Sequence, residues 1–152
     1  MNKAYYESPI GLLELIEKEQ EISAVRFVNN RGGATEVSPL LERCKTQLAE
    51  YFAGRRREFS LPLVLEGTEF QRRIWRQLRT IPYGSTTSYG ELARALGKKQ
   101  RAAQAVGGAV GRNKITLIIP CHRVIGSDGS LTGYGGGLAR KKWLLEHENV
   151  NS

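Results

Sequence analysis

The chain has little sulfur, little histidine and no long apolar run. Its 152 residues include two cysteines, one methionine and two histidines. Two cysteines make no disulfide framework, so a reducing, intracellular setting is expected, with the cytoplasm as the compartment. Two cysteines and two histidines supply at most one zinc site, and zinc ligands usually come as pairs about two to four residues apart. Here Cys121 and His122 are adjacent, Cys44 is far upstream and His147 stands alone. Neither a metal nor any other cofactor is expected. No window approaches the roughly 18 apolar residues of a membrane span, and Met1–Glu7 lacks the apolar centre of a signal peptide. No membrane association is expected. The chain also lacks internal repeats and low-complexity segments.

What is present is an ordinary globular composition, 40% hydrophobic and 25% charged. It suffices for one domain or two small lobes. Acidic residues are scarce in one half only. Residues 1–66 hold nine Lys/Arg and ten Asp/Glu, a net of −1; residues 67–152 hold 14 and five, a net of +9. The overall +8 is by itself an ordinary solubilising charge. Solubility does not require that charge to sit in one half; a basic half attracts a polyanion, of which nucleic acid is the commonest, and the two readings stand side by side.

The first third reads as a small sheet with one helix. Lys3–Ser8, Leu12–Glu17 and Ile22–Val28 are strand-like, with Pro9-Ile10-Gly11 and Lys18-Glu19-Gln20-Glu21 as connections. Ser38-Pro39 opens a helix as N-cap and first residue, and Gly54 ends it. Leu41, Cys44, Leu48 and Tyr51 or Phe52 share its apolar face, so Cys44 is read as a packing residue. The stretch Leu61–Gly67 resembles a linker. Helices then dominate, and the fold class is α/β (α+β). The expected layout is an N-terminal lobe over residues 1–62, a linker over 63–66 and a second domain over 67–152.

Thr68-Glu69-Phe70-Gln71 and Ser88-Tyr89-Gly90-Glu91 are capping boxes. The first opens a helix with Phe70, Ile74, Leu78 and Ile81 on one face. The second opens a short helix stopped by Gly97, and a third follows from about Arg101 to Val110. Helix, glycine turn, helix is the pattern of a helix-turn-helix. The third helix has two internal glycines, Gly107 and Gly108, each costing about 1 kcal/mol relative to alanine. Two readings stand side by side: close helix packing, or a backbone that presses against DNA. Ile115–Ile119 is read as a buried extended segment, and a last helix as running from Leu138 to His147.

The chemistry centres on Pro120-Cys121-His122-Arg123-Val124. The thiolate is the nucleophilic form of cysteine, and His122 and Arg123 are basic neighbours that favour it. Glu148 is placed to orient His122 as a base. Adjacent residues of an extended chain point apart, so a bridging water is the natural link from Cys121 to His122. A lone Cys-His pair also arises by chance.

The basic half resembles the O6-alkylguanine-DNA alkyltransferases, also called methylated-DNA–protein-cysteine methyltransferases. The resemblance is carried by Gly67-Thr68-Glu69-Phe70-Gln71, Ile81-Pro82-Tyr83-Gly84, Ser88-Tyr89-Gly90-Glu91-Leu92-Ala93, Ala105-Val106-Gly107 and Asn113. It continues through Pro120-Cys121-His122-Arg123-Val124, Thr132-Gly133-Tyr134-Gly135-Gly136-Gly137-Leu138 and Trp143-Leu144-Leu145-Glu146-His147-Glu148. The first third matches weakly in sequence, but its pattern looks like the family's ribonuclease H-like lobe.

The resemblance implies a monomer that binds double-stranded DNA through the minor groove and flips out O6-alkylguanine, chiefly O6-methylguanine. The alkyl group then moves irreversibly onto Cys121. It further implies that His122 takes the thiol proton through water, Glu148 orients His122, Asn113 holds the reactive loop and Tyr89 donates a proton towards guanine N3. Val124, Tyr134, Gly135 and Gly136 would line the pocket. Thr87, Ser88, Arg101, Ala102, Gln104, Ala105 and Gly108 would meet DNA. Gln104 stands where many relatives place an arginine finger, and Gly135 where some carry serine, which implies room for bulkier O6 groups. The rival readings are a non-catalytic helix-turn-helix regulator or lesion sensor, and a cysteine hydrolase. Lesion sensors of this kind lack the acceptor cysteine, whereas Cys121 is present.

Overall fold

The computed structural model describes residues 1–33 and 38–152. Three antiparallel strands, β1 (Asn2–Ser8), β2 (Gly11–Lys18) and β3 (Glu21–Val28), pair in the order β1-β2-β3. Alternation along β2 sends Leu13 and Leu15 into the core, both fully buried.

The β2–β3 connection is tighter than the four polar residues suggest. Lys18 pairs with Glu21, so only Glu19 and Gln20 turn the chain. Both have positive φ, 53° and 67°, the hairpin geometry that favours Asn-Gly. A side chain in that region costs about 1–2 kcal/mol. Glu19→Asn combined with Gln20→Gly is expected to stabilise the protein by about 1 kcal/mol, or about 2–4 °C in Tm at this size. A calorimetric scan in which the double variant melts no higher than the parent would contradict this.

The first helix, α1 (Pro39–Phe52), starts and stops as its residues dictate. Ser38 Oγ accepts from the Leu41 N–H at 3.3 Å, with Pro39 beginning the helix. Gly54 takes φ 76°. Bonds from Gly54 N to Tyr51 O and from Arg55 N to Glu50 O close the last turn. Leu41, Cys44, Leu48 and Tyr51 are buried. Burial pushes the Cys44 thiol up to about 12, which makes it a packing group and no nucleophile.

By packing, the chain divides into two units. One is Met1–Leu65 with Lys114–Ile118; the other is Glu66–Asn113 with Ile119–Ser152. The stretch read as a linker begins as an edge partner of β3. Leu63 bridges Ile22 in parallel, with Ile22 N to Pro62 O at 2.8 Å and Val64 N to Ile22 O at 3.0 Å. The run Ile115–Ile119 is buried but extended only at its start. Ile115 bridges Val25 in parallel, and the chain then turns, with Leu117 at φ 72°. Burial, not strand pairing, is what those apolar side chains encode.

In the second unit, α2 (Glu69–Leu78) carries the complete Thr68–Gln71 capping box and buries Ile74, Trp75 and Leu78. The Trp75 indole donates to Ala109 O at 2.9 Å. A two-residue strand, β4 (Thr87–Ser88), leads into α3 (Tyr89–Ala95), which Ser88 caps by accepting from Glu91 N. Gly97, at φ 74°, turns the chain. A single tight 3₁₀ turn, Gln100–Ala102, precedes α4 (Ala103–Gly111), so the α-helix begins later than Arg101. β5 (Val124–Ile125) pairs in parallel with β4. The last helix, α5 (Leu138–Val150), outruns His147 because Asn151 caps it, its backbone N and Nδ2 both bonding to His147 O. No helix among the described residues is long and apolar enough to cross a membrane.

Candidate active site

The loop bearing Cys121 is built from backbone outward. Pro120 adopts φ −79° and ψ 65°, an inverse γ-turn, and Cys121 N donates to Ile119 O at 2.8 Å. The same carbonyl accepts from Asn113 Nδ2 at 2.9 Å, so Asn113 ties the end of α4 to the residue two before the final turn. Cys121–Arg123 then form one 3₁₀ turn, not an extended strand, so the alternation expected of an extended chain does not apply to Cys121 and His122. Cys121 keeps 9% exposure while His122 has none.

His122 Nε2 lies 2.6 Å from Glu148 Oε2. Beside a carboxylate that nitrogen carries the proton, which leaves Nδ1 with its lone pair. Nδ1 is buried and has no hydrogen-bond partner in the protein. Burial, opposed by Glu148, holds the His122 pKa below its ordinary value, so the ring is neutral at pH 7. Burial pushes the Glu148 carboxyl up, but the bonds and charges of His122 and Arg123 outweigh it and hold it far below the usual carboxylate range.

Arg123 is tied to Glu148 and to a backbone carbonyl. Its Nε and Nη2 bind the two oxygens of Glu148 at 2.8 and 3.1 Å, and Nη1 binds Ile81 O at 2.8 Å. Its guanidinium is committed to Glu148 and Ile81 O and balances the buried carboxylate charge. One cation coupled to Cys121 is Lys141, which sequence reasoning missed. Lys141 is fully buried and donates to Val124 O at 2.5 Å and Thr132 O at 2.8 Å. Burial lowers its pKa, and the charge of Cys121 raises it; by reciprocity the ammonium favours the thiolate. The signal was available: Lys141, Leu144 and Glu148 are the buried positions of α5, so two charged residues stand in an apolar stripe.

The β4–β5 pairing sets Tyr89. Thr87 pairs with Val124 and Ser88 with Ile125, which puts the start of α3 beside the strand that follows the Cys121 turn. Tyr89 Oη is 2.9 Å from Thr132 Oγ1. A Cβ at Gly107 would sit 3.6 Å from the Tyr89 ring, whereas one at Gly108 would meet nothing within 4 Å. The two glycines thus divide the two readings: Gly107 faces a neighbouring helix and Gly108 faces outward.

The remaining residues fall into two sets. Arg101, Gln104, Ala105 and Gly108 are exposed along the start and outer side of α4, with Ala102 half-buried. Ser88 is buried with its hydroxyl capping α3, and Thr87 is half-buried. Val124 is buried, Tyr134 and Gly136 are half-buried, and Gly135 is exposed with open space where a Cβ would stand. Among the described residues no group of three or more His, Cys, Asp or Glu side chains is placed to hold a metal ion.

Comparison with known proteins covers nearly the whole chain. Residues 1–65 match the family model of the 6-O-methylguanine DNA methyltransferase ribonuclease-like domain, and residues 69–150 match that of its DNA binding domain. The methylated-DNA–protein-cysteine methyltransferase of Mycolicibacterium paratuberculosis is 50% identical over 151 residues, covering 96% of this chain and 91% of that one. That of Methanosarcina acetivorans is 42% identical, covering 97% of this chain and 98% of that one. The crystal structure of Mycobacterium tuberculosis OGT in complex with DNA superposes with a TM-score of 0.88 at 46% identity, covering 97% of this chain and 94% of that one. With both halves matched in order and relatives covered nearly end to end, the chain belongs to the methylated-DNA–protein-cysteine methyltransferase family.

Proposed function

We propose that this protein repairs O6-alkylguanine, chiefly O6-methylguanine, in double-stranded DNA by moving the alkyl group to its own Cys121. The observation that carries this reading is the relay behind the sulfur: His122 bound to Glu148 through Nε2, with Nδ1 left as a base. In the reaction, a water passes the Cys121 proton to His122 Nδ1, and Glu148 stabilises the resulting imidazolium. Lys141 holds the thiolate charge. Sulfur attacks the alkyl carbon, the bond from that carbon to O6 breaks, and the electron pair leaves with guanine. Tyr89 gives its phenolic proton to guanine N3, a general-acid step of the kind that contributes about 100- to 10,000-fold. The product thioether is stable, so each chain acts once.

The target atom lies inside the duplex, and the nucleotide must be everted at a cost of a few kcal/mol. The exposed, nearly bulk-free side of α4 suits the minor groove, with Gln104 as the residue that fills the vacated stack. Residues 67–152 form the DNA-binding and alkyl-transfer domain in this reading. The protein works as a monomer, in the cytoplasm. Mass spectrometry after incubation with O6-methylguanine DNA tests the function directly. One methyl on Cys121, capped at one per chain, is expected. Unchanged mass with binding would indicate a sensor or regulator, and release of product beyond one equivalent a hydrolase.

The neutral state of His122 sets a pH dependence. Its pKa is lowered from 6.5, so the base stays competent below that pH. The acid limb of the single-turnover rate should therefore lie below the ordinary histidine value. The sign for stability is the same. A depressed histidine contributes stability above pH 6.5 and loses it as pH falls, and Glu148, depressed from 4.5, adds a second loss below that value. An acid limb centred at or above 6.5 would overturn this assignment.

A further inference from the structure

Thr132 joins two of the groups just described. Its backbone oxygen accepts from the buried Lys141 ammonium at 2.8 Å, and its hydroxyl is 2.9 Å from Tyr89 Oη. Lys141 also holds Val124 O, the carbonyl of the residue that pairs with Thr87, two before Tyr89. The phenol ring lies against Gly107 of α4. Thr132 is therefore anchored from behind by a cation and presents its hydroxyl to the phenol.

We propose that Thr132 is a positioning residue for the alkyl transfer, fixing the hydroxyl of Tyr89 and stabilising it as its proton departs. This rests on Tyr89 being the proton donor to guanine. A hydroxyl carries one proton and two lone pairs. When Thr132 Oγ1 donates to Tyr89 Oη, the Tyr89 proton is free to point at the leaving base. As the C–O6 bond breaks and that proton moves to guanine N3, the phenol oxygen becomes anionic. The Thr132 O–H then becomes a charge-assisted hydrogen bond, stronger in the transition state than before it. Tyr89 regains its proton from solvent after the base is released. The same geometry explains why Lys141 is spent on two carbonyls: it stiffens the segment from which Thr132 reaches Tyr89.

The test is a double-mutant cycle on the full chain, read as single-turnover methyl transfer from O6-methylguanine DNA with duplex affinity measured in parallel. Thr132→Val keeps the shape and the carbonyl to Lys141 but removes the hydroxyl. It is expected to slow transfer about tenfold, the worth of one hydrogen bond to a developing charge, with affinity unchanged. Thr132→Ser is expected to restore the rate. In a Tyr89→Phe background, Thr132→Val should add nothing. Equal slowing by Thr132→Val in both backgrounds, or failure of Thr132→Ser to rescue, would assign Thr132 a merely structural role and overturn the proposal. Slow Tyr89→Phe beside a fully active Thr132→Val would overturn this proposal alone. An unimpaired Tyr89→Phe would overturn the donor reading and this proposal with it.

Discussion

Cys121→Ala is expected to abolish methyl transfer while leaving duplex binding intact. The sulfur is the atom that takes the alkyl carbon, and neither His122 nor Lys141 offers a substitute. His122 is fully buried and its Nε2 is committed to Glu148; Lys141 is fully buried and held by two carbonyls. Cys44 is no substitute either, since burial pushes its thiol up to about 12. Binding should survive because the exposed residues Arg101, Gln104, Ala105 and Gly108 belong to α4 and the turn before it. A gel or fluorescence titration should give an unchanged Kd, one that weakens steeply with salt as phosphate contacts release counterions. The intact mass of the variant should not change over any incubation. A methyl gained by this variant would move the acceptor elsewhere.

Glu148→Ala is expected to destabilise the protein strongly. One carboxylate serves three donors: His122 Nε2 at 2.6 Å, Arg123 Nε at 2.8 Å and Arg123 Nη2 at 3.1 Å. Arg123 is 6% exposed, so removing its counter-charge strands a buried cation. Breaking a buried pair from one side costs about 3–5 kcal/mol, a large share of the roughly 5–15 kcal/mol that holds a domain folded. At this size that is on the order of 10 °C in Tm. Transfer should fall as well, by about 100- to 10,000-fold, because the histidine loses the partner that sets its tautomer. Calorimetry and a rapid-quench rate check the two effects separately. Melting within a degree or two of the parent would show that Arg123 finds another partner, and the relay would need redrawing.

Three of the helix starts were legible because capping is local chemistry. Ser38, Thr68 and Ser88 each accept the backbone N–H three residues on, an arrangement written in consecutive residues. The pairing of His122 with Glu148 was legible through the family resemblance, which implies a glutamate that orients the histidine. What was hidden depends on residues far apart in the chain. The two-residue strands Thr87–Ser88 and Val124–Ile125 are too short to leave a periodicity. The commitment of Arg123 to Glu148 follows from the 3₁₀ turn at Cys121–Arg123, which replaces strand alternation. Lys141 looked like an ordinary basic residue in Arg140-Lys141-Lys142 until its burial showed which of the three points inward.

The short return of Lys114–Ile118 into the first unit means that neither unit is one continuous stretch of chain. A fragment ending near residue 65 would leave Val25 without the backbone partners it has in Lys114 and Thr116. A fragment starting near residue 66 would carry Ile115, Leu117 and Ile118 with their natural resting place cut away. Expressing either piece by itself therefore removes part of a core from one fragment and exposes greasy surface on the other.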